Sequence, residues 1–436
     1  MKPTSRAWLT LIMMSVLMVL SLMDRQILAM LVEPLKTQFK ISDVQIGFLL
    51  GTAFAVTYGL LGVPAGRYAD RGSRKLLVIT GVTLWCLCTI ASGFATSFLV
   101  LVIFRIGLAA GEAVLTPAAH SMIGDLFPPE RRSFAASIFI SAAFVGGPLA
   151  YSGGALIITF IDGHIASYGL NIQTWQAVLI AVGAPGLLIC LLFALVVKEP
   201  TRVSIGETSF RTSTRDVIRQ LQSRKKLYTG LFLGATLGSA CSTSVIIWGI
   251  ELLRRDFAWT AEQAGTAFGP VLLLAGLTGS LLPPLIVGQL KLRGRSDAVV
   301  LVSMGCSLLS LLGLGLGVTA ADPFLRLLLV YFGVAGALGA FTNIASAMQE
   351  FAPGNMRGTF IGVLYLLMNL VGYGATPVVV PAVADLLGSS SDNLGEGLAT
   401  VCIVLSIIGF LLFAWVRKAY QGEARAGFPT VAISDV

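Results

Sequence analysis

Apolar runs of twenty or more residues recur along this chain from end to end, separated by short polar stretches. A helix rises about 1.5 Å per residue, so ~20 apolar residues cross the hydrocarbon core of a bilayer. The pattern predicts twelve such helices, near 7–33, 44–65, 76–95, 98–124, 133–160, 175–197, 228–252, 264–290, 297–319, 324–349, 358–386 and 397–416. The one long interior break, 198–227, follows the sixth and leaves two groups of six. The first segment is too long for a signal peptide, lacks a small-residue cleavage site and carries Asp24 and Arg25, so it reads as the first span.

The two groups repeat each other. FPPERRSFAAS from Phe127 answers FAPGNMRGTFIG from Phe351, VGGP at Val145 answers VGYGATP at Val371, and GRYADRGSRK from Gly66 answers GQLKLRGRS from Gly288. The offsets are 224, 226 and 222 residues, close to half the chain, as two parallel six-helix halves require. The fold class expected is an all-α membrane protein of twelve transmembrane helices in two pseudo-symmetric halves. Its parts are 1–197, a basic cytoplasmic linker 198–227, a second bundle 228–418, and a disordered cytoplasmic tail 419–436.

Charge orients the spans. With both termini inside, 23 of the 30 Lys and Arg residues fall in the tails or cytoplasmic loops and five outside (Lys36, Lys40, Arg254, Arg255, Arg326). Arg25 and Arg105 lie within spans. That asymmetry places both termini in the cytoplasm. The net charge of +8 is therefore topological and argues for no nucleic-acid partner. Only 12% of residues are charged, against about 25% in a soluble protein. All six cysteines lie in apolar segments, where small buried packing is their ordinary role. The sequence has no P-loop, no HExxH and no metal or cofactor constellation, so an enzyme or an ATP-driven pump is not expected.

Twelve helices in two parallel halves around a basic loop resemble the major facilitator superfamily. In GRYADRGSRK the residues Gly66, Asp70, Arg71, Arg74 and Lys75 fit that superfamily's motif between helices two and three. Ser73 stands where a second glycine is usual. In the second half Leu292 replaces the aspartate. FKISDVQIGFLLGTAF and RIGLAAGEAVLTPAAHSMIGDLFPPERR further resemble the spinster family, whose members are gradient-linked carriers associated with lysophospholipids and sphingosine phosphates. MDRQIL and R-x-x-x-G-x-x-E-A resemble the organic anion:cation symporters as well.

Four ionisable residues stand inside the first half's spans: Asp24, Arg25, Arg105 and Glu112. Each costs roughly 2.5–3.5 kcal/mol at a helix centre, so four unpaired charges would cost on the order of 10 kcal/mol. They must pair, face water or neutralise. Counting from the inner ends at ~1.5 Å per residue puts Asp24 ~25 Å up, Arg105 ~28 Å and Glu112 ~18 Å. Asp24–Arg105 is thus the expected cross-helix pair. Arg25, turned about 100° from Asp24, reaches Glu112 or an anionic substrate. A static pair orienting helices one and four is one reading; proton coupling by Asp24 and Glu112 is the other.

The second half offers neutral groups. Ser239, Ser242, Thr243, Ser244 and Trp248 lie on span seven, Thr342 and Asn343 on span ten, and Tyr365, Asn369 and Tyr373 on span eleven. Each hydroxyl either bonds back to its own helix or faces a cavity. Arg25, Arg105, Trp248, Asn343, Tyr365 and Asn369 are the candidate substrate contacts. Gly66, Asp70, Arg71 and Arg74 form either a positive-inside anchor or a cytoplasmic gate, with Asp70 meeting a helix N-terminus. In the linker, Val217, Ile218 and Leu221 make one short apolar stripe, either a surface helix on anionic lipid or a solvated segment.

Together these features predict a proton-coupled secondary transporter working by alternating access. It would be a multi-pass protein of the cell membrane, acting as a monomer without a cofactor. Its expected partners are protons, membrane lipids and a small-molecule or lipid substrate. The charged wall opposite an apolar one suits an amphiphilic anion such as a lysophospholipid or sphingolipid phosphate. The alternative is an organic anion:cation symporter for small carboxylates.

Overall fold

A computed structural model describes residues 4–164, 172–202, 214–351, 357–388 and 393–426. Twelve helices among them are long and apolar enough to cross a membrane. Spans one to six are Ser5–Met30, Asp43–Arg71, Arg74–Ser92, Phe98–Leu126, Phe134–His164 and Thr174–Val196. Spans seven to twelve are Lys225–Phe257, Ala261–Leu292, Ala298–Gly317, Pro323–Met348, Thr359–Leu387 and Leu394–Ala426. Their starts are chemically marked. Thr4, Ser73 and Ser97 each accept a backbone N–H of the first turn, and Ser42 forms a reciprocal capping box with Gln45. The first short connection is itself helical, Val32–Phe39, and ends on Lys40 in the left-handed region (φ 52°).

The chain forms two compact units. One holds residues 1–204 and 250–273, the other 205–249 and 274–436. In the first, span three packs on spans four and six, and span one on span five. In the second, span nine packs on spans ten and twelve, which is the same arrangement displaced by six helices. Glycine makes the closest crossings possible. A Cβ on Gly111 would stand 2.5 Å from the Gly81 carbonyl, and one on Gly313 would stand 2.4 Å from the Gly333 nitrogen.

Three departures from regular helix lie in spans one, two and four of the first unit. Span one tightens to a 3-10 turn at Leu28–Met30, and span two opens on a π-turn at Phe48–Thr52. Span four divides after Glu112 and resumes at Leu115. Pro117 explains that break, because it lacks an N–H and its ring crowds the carbonyl four residues back, at Ala113.

Each unit ties one end of its bundle with an ion pair, and the signs are reversed between them. In the first, Arg74 at the start of span three is buried and holds Glu199 (2.8 Å), Asp125 and the Pro200 carbonyl (2.6 Å). Glu199 also accepts from Ser73 Oγ (2.8 Å) and the Lys75 amide (2.7 Å), placing a negative charge at a helix N-terminus. Arg202 donates to the carbonyls of Ala69, Asp70 and Gly72, which caps the end of span two. In the second unit Asp297, just before span nine, takes Arg417 of span twelve (2.7 Å) and Arg295 (3.1 Å).

The tail differs from expectation. Instead of disorder from 419, span twelve stays helical through Ala426. Tyr420 is buried against Phe351, and Glu423 pairs with Arg224 at 3.4 Å. The apolar contact was hidden because Tyr420 stands alone among polar residues. The linker helix is Thr214–Ser223, with Leu221 against the core of the second unit and Ile218 exposed. Residues 352–356 of the second FAPGNMRG repeat and 427–436 of the expected tail lie outside the described residues.

These end-pairs predict an acid limit. Burial alone would raise the Glu199 and Asp297 carboxyls. Hydrogen bonds from Lys75, Arg74 and Ser73 in one case, and from Arg417 and Arg295 in the other, outweigh it and hold both below their ordinary values of 4.5 and 3.8. Their support is complete above those ordinary values and is lost as pH falls through the lowered ones. The thermal unfolding midpoint in detergent should therefore fall as pH drops below ~4. Asp297→Asn should cost about 1–2 kcal/mol at neutral pH and flatten that acid limb. An unchanged limb in the Asp297→Asn, Glu199→Gln double variant would exclude these two carboxylates as its source.

Candidate functional site

Asp24, Arg105 and Glu112 are all buried, at 2–3% exposure, within the first unit. Arg25, in the last helical turn of span one, reaches Glu112 at the break in span four, with Nη2 to Oε2 at 2.8 Å. Of the two partners open to Arg25, the structure shows the carboxylate. The same guanidinium stacks over Phe54, 4.0 Å from the ring centroid, and lies 5.4 Å from that of Tyr58. Phe54 and Tyr58 are themselves stacked (5.4 Å), one turn apart on span two.

The expected Asp24–Arg105 pair is not formed. Asp24 turns to span three, where Thr89 Oγ1 lies 3.3 Å from Oδ2. Arg105 makes no ion pair among the described residues. Its Nη2 donates instead to the carbonyls of Arg25 (3.1 Å) and Leu50 (3.3 Å). Both carbonyls stand at helix irregularities. Arg25 is among the last carbonyls of the helix ending at Ile27, and Leu50 lies in the π-turn. Counting residues along the spans gave heights but not azimuth, and it could not show which carbonyls the turns expose. Arg105 also lies 5.3 Å from the Phe54 centroid, so this ring borders both guanidiniums.

In the second unit, two expected substrate contacts have their donors engaged internally. Trp248 is fully buried and gives Nε1–H to the Pro377 carbonyl (3.2 Å). Asn343 donates to the Val299 carbonyl (2.9 Å) and Ser303 Oγ (2.8 Å). Ser242, Thr243 and Ser244 bond back to their own helix. Tyr365 is 44% exposed with its ring against Phe341, and Asn369 donates to the Tyr365 carbonyl (2.9 Å). Of the candidate gate residues, Asp70 and Arg71 are exposed while Arg74 is buried in its ion pairs. Gly66 stands where a Cβ would only touch Pro117 at 4.0 Å.

A further ion network was not anticipated. Arg255, near the end of span seven, is held by both oxygens of Asp43 (2.9 Å each), by Glu251 (2.6 Å) and by Glu33 (3.2 Å). Lys36 adds a 2.7 Å pair to Asp43. The Glu251 side chain is fully buried. All five residues belong to the first unit. Lys36 and Arg255 were legible as loop charges, but their partners are scattered over more than 200 positions.

Comparison with known proteins places this geometry. The Major Facilitator Superfamily profile matches residues 14–377. The chain belongs to the Major Facilitator Superfamily. Among similar members of the superfamily is an MFS-type efflux pump of Mycolicibacterium smegmatis, 25% identical over 419 residues, 95% of this chain and 93% of that one. Protein spinster homolog 1 of Xenopus tropicalis is 25% identical over 427 residues, 94% of this chain and 77% of that one. The crystal structure of a bacterial homolog to human lysosomal transporter Spinster, inward-facing and unoccupied, matches with a TM-score of 0.81 at 21% identity, covering 98% of both chains. This is a multi-pass membrane transporter fold of the superfamily.

Removing one partner of a buried pair costs more than removing both, because a lone charge is left in place. Arg25→Gln should lower stability by about 3–5 kcal/mol through the stranded Glu112. The double variant Arg25→Gln, Glu112→Gln should recover most of that, read as the thermal midpoint in detergent. Additive losses in the cycle would mean that the 2.8 Å contact carries no coupling.

Proposed function

We propose that this superfamily member is a proton-coupled secondary transporter that works by alternating access and carries an amphiphilic anion. The observation that carries this reading is the Arg25–Glu112 pair standing in the same cluster as a buried Asp24 that makes no ion pair among the described residues. Moving Arg25 away from Glu112 alters which protonation state of that carboxylate is favoured. A substrate anion that draws Arg25 toward itself would release Glu112 to exchange a proton, linking the two fluxes.

Arg25 is the natural headgroup contact. Its side chain is 11% exposed, and a guanidinium gives bidentate bonds to phosphate or carboxylate. Arg105, with its Nη2 on two carbonyls, positions Arg25 and Phe54. Tyr365 and Asn369 are proposed as the polar contacts of the second unit. Gly66, Asp70, Arg71 and Arg74 are proposed as the cytoplasmic gate, with both termini cytoplasmic in the cell membrane and a monomer as the working form. The sequence resemblance to the spinster family is the ground for an acyl-chain anion such as a lysophospholipid or sphingolipid phosphate, and spinster homologues are among the relatives. A second reading, a small organic acid, is favoured by the D-galactonate transporter of Escherichia coli, 25% identical over 434 residues.

Flux into liposomes separates these. Wild type should accumulate lysophospholipid only with a pH gradient. Asp24→Asn or Glu112→Gln should abolish that dependence while leaving the protein folded; gradient dependence retained in both would remove them as proton carriers. Binding should tighten with acyl length by roughly 0.8 kcal/mol per CH₂, about fourfold, and weaken in Arg25→Lys, which keeps charge but loses the fork. Short carboxylates binding more tightly than any lysolipid would replace the lipid by the small organic acid.

A further inference from the structure

Behind Asp24 lies a small pocket lined by Asp24 and Leu28 of span one, Leu49 of span two, Thr89 and Ser92 of span three, Leu101, Arg105 and Leu108 of span four, and Leu179 of span six. Most of the wall is leucine; Ser92 Oγ donates to the Cys88 carbonyl (2.8 Å), but three polar atoms of the lining residues are left over. Asp24 Oδ1 and Arg105 Nε and Nη1 are buried without a protein hydrogen bond. Each such atom costs about 1–3 kcal/mol, and more when charged, unless something pairs it.

The chemistry of the wall selects the occupant. Arg105 offers donors and Asp24 offers an acceptor, so the ligand must both accept and donate. An anion meets Asp24 with like charge, and a cation meets Arg105 the same way. Water does both. The room open to a water centre is ≈ 10 Å³, about what one molecule needs. We propose that this pocket holds one water that accepts from Arg105 and donates to Asp24 Oδ1, and that protons reach Asp24 through it from the Ser92 end.

That direction follows from the lining. Ser92 is the last residue of span three, Leu101 lies in the first turn of span four and Leu179 in the second turn of span six. The route therefore runs to the span three–four connection. In transfer, the water gives one hydrogen to Asp24 Oδ1 as it takes one from the connection side. One O–H breaks and one forms at each step, for a net gain of one proton by Asp24. Thr89 Oγ1 stands 3.3 Å from Asp24 Oδ2 and 3.0 Å from the Trp85 carbonyl. Its single hydrogen serves Asp24 when that is a carboxylate and Trp85 when Asp24 carries the proton. The other ionisable groups near Asp24 are Glu112 and Arg105 of span four and the Cys86 thiol of span three. The route rests on the proton-coupled reading; the water site does not.

Infrared difference spectroscopy on the full chain in liposomes tests both. The wild type should show a water O–H stretch that shifts in H₂¹⁸O, and a carboxyl band that is lost in Asp24→Asn and deuterates quickly. Leu101→Phe, which fills the pocket, should lose the water stretch and slow deuteration of the Asp24 band. Ser92→Val gives the same test with a smaller change of volume if the phenylalanine is not tolerated. Folded variants that keep both signals overturn the proposal. Loss of the water stretch with deuteration unchanged overturns the route, as does the lack of any Asp24-dependent carboxyl band at every pH the fold tolerates. Gradient-independent flux beside an intact water stretch sinks the coupling reading alone and leaves the water in place.

Discussion

A permanently charged guanidinium buried at 2% exposure is the constraint around which the first unit is arranged. Arg105 cannot shed its proton at any ordinary pH, so its surroundings must answer it. A carboxylate partner would be the simplest answer, but the protein uses carbonyls instead. Carbonyls become available only where a helix stops being regular. The 3-10 turn after Arg25 and the π-turn around Leu50 supply them. The irregular backbone is thus coupled to the buried charge, and each would be costly without the other. The same turns fix Phe54 beside Arg105 and Arg25, and so set where Arg25 meets Glu112.

Because Arg105 takes no carboxylate, two remain for other work. Glu112 stands at the break that Pro117 imposes and is held by Arg25, whose side chain is 11% exposed. Asp24 keeps only a weak hydroxyl contact. A symmetric arrangement, Asp24 with Arg105 and Glu112 with Arg25, would lock both carboxylates as ions. The observed one leaves them in different environments, Glu112 on a guanidinium and Asp24 on a hydroxyl.

What the sequence made legible follows from what sequence encodes. Span number and the repeat are written in length and hydropathy, and both appear; the compact units instead divide within spans seven and eight. The charged cluster was legible because ionisable residues in apolar runs are rare. Its pairing was only half legible: Arg25–Glu112 was one of two options, while Asp24–Arg105 followed from height alone. Thr89, Phe54 and the Leu50 carbonyl carried no signal that distinguishes them from ordinary span residues. Trp248 and Asn343 looked like cavity groups because polarity in a span suggests a ligand. Their donors meet Pro377, Val299 and Ser303 instead. The one clue was position: Ser303, Ser307 and Ser310 lie three and four apart, a polar stripe on span nine able to receive such a neighbour.

That stripe explains a deeper difference between the units. Ser310 meets Ser406 at 3.0 Å, Ser406 meets Cys241 at 3.6 Å, and Asn343 joins spans nine and ten. These are neutral bonds, each worth about 0.6 kcal/mol in a membrane interior, and none changes charge with pH. These interior bonds of the second unit are indifferent to a proton gradient, whereas its Asp297–Arg417 pair, at the end of the bundle, is not. The interior cluster of the first unit, by contrast, is built from ionisable groups: Asp24, Arg25, Arg105 and Glu112. Under the proposed proton coupling, the responsive element is this cluster, because it is where ionisable groups lie within the spans.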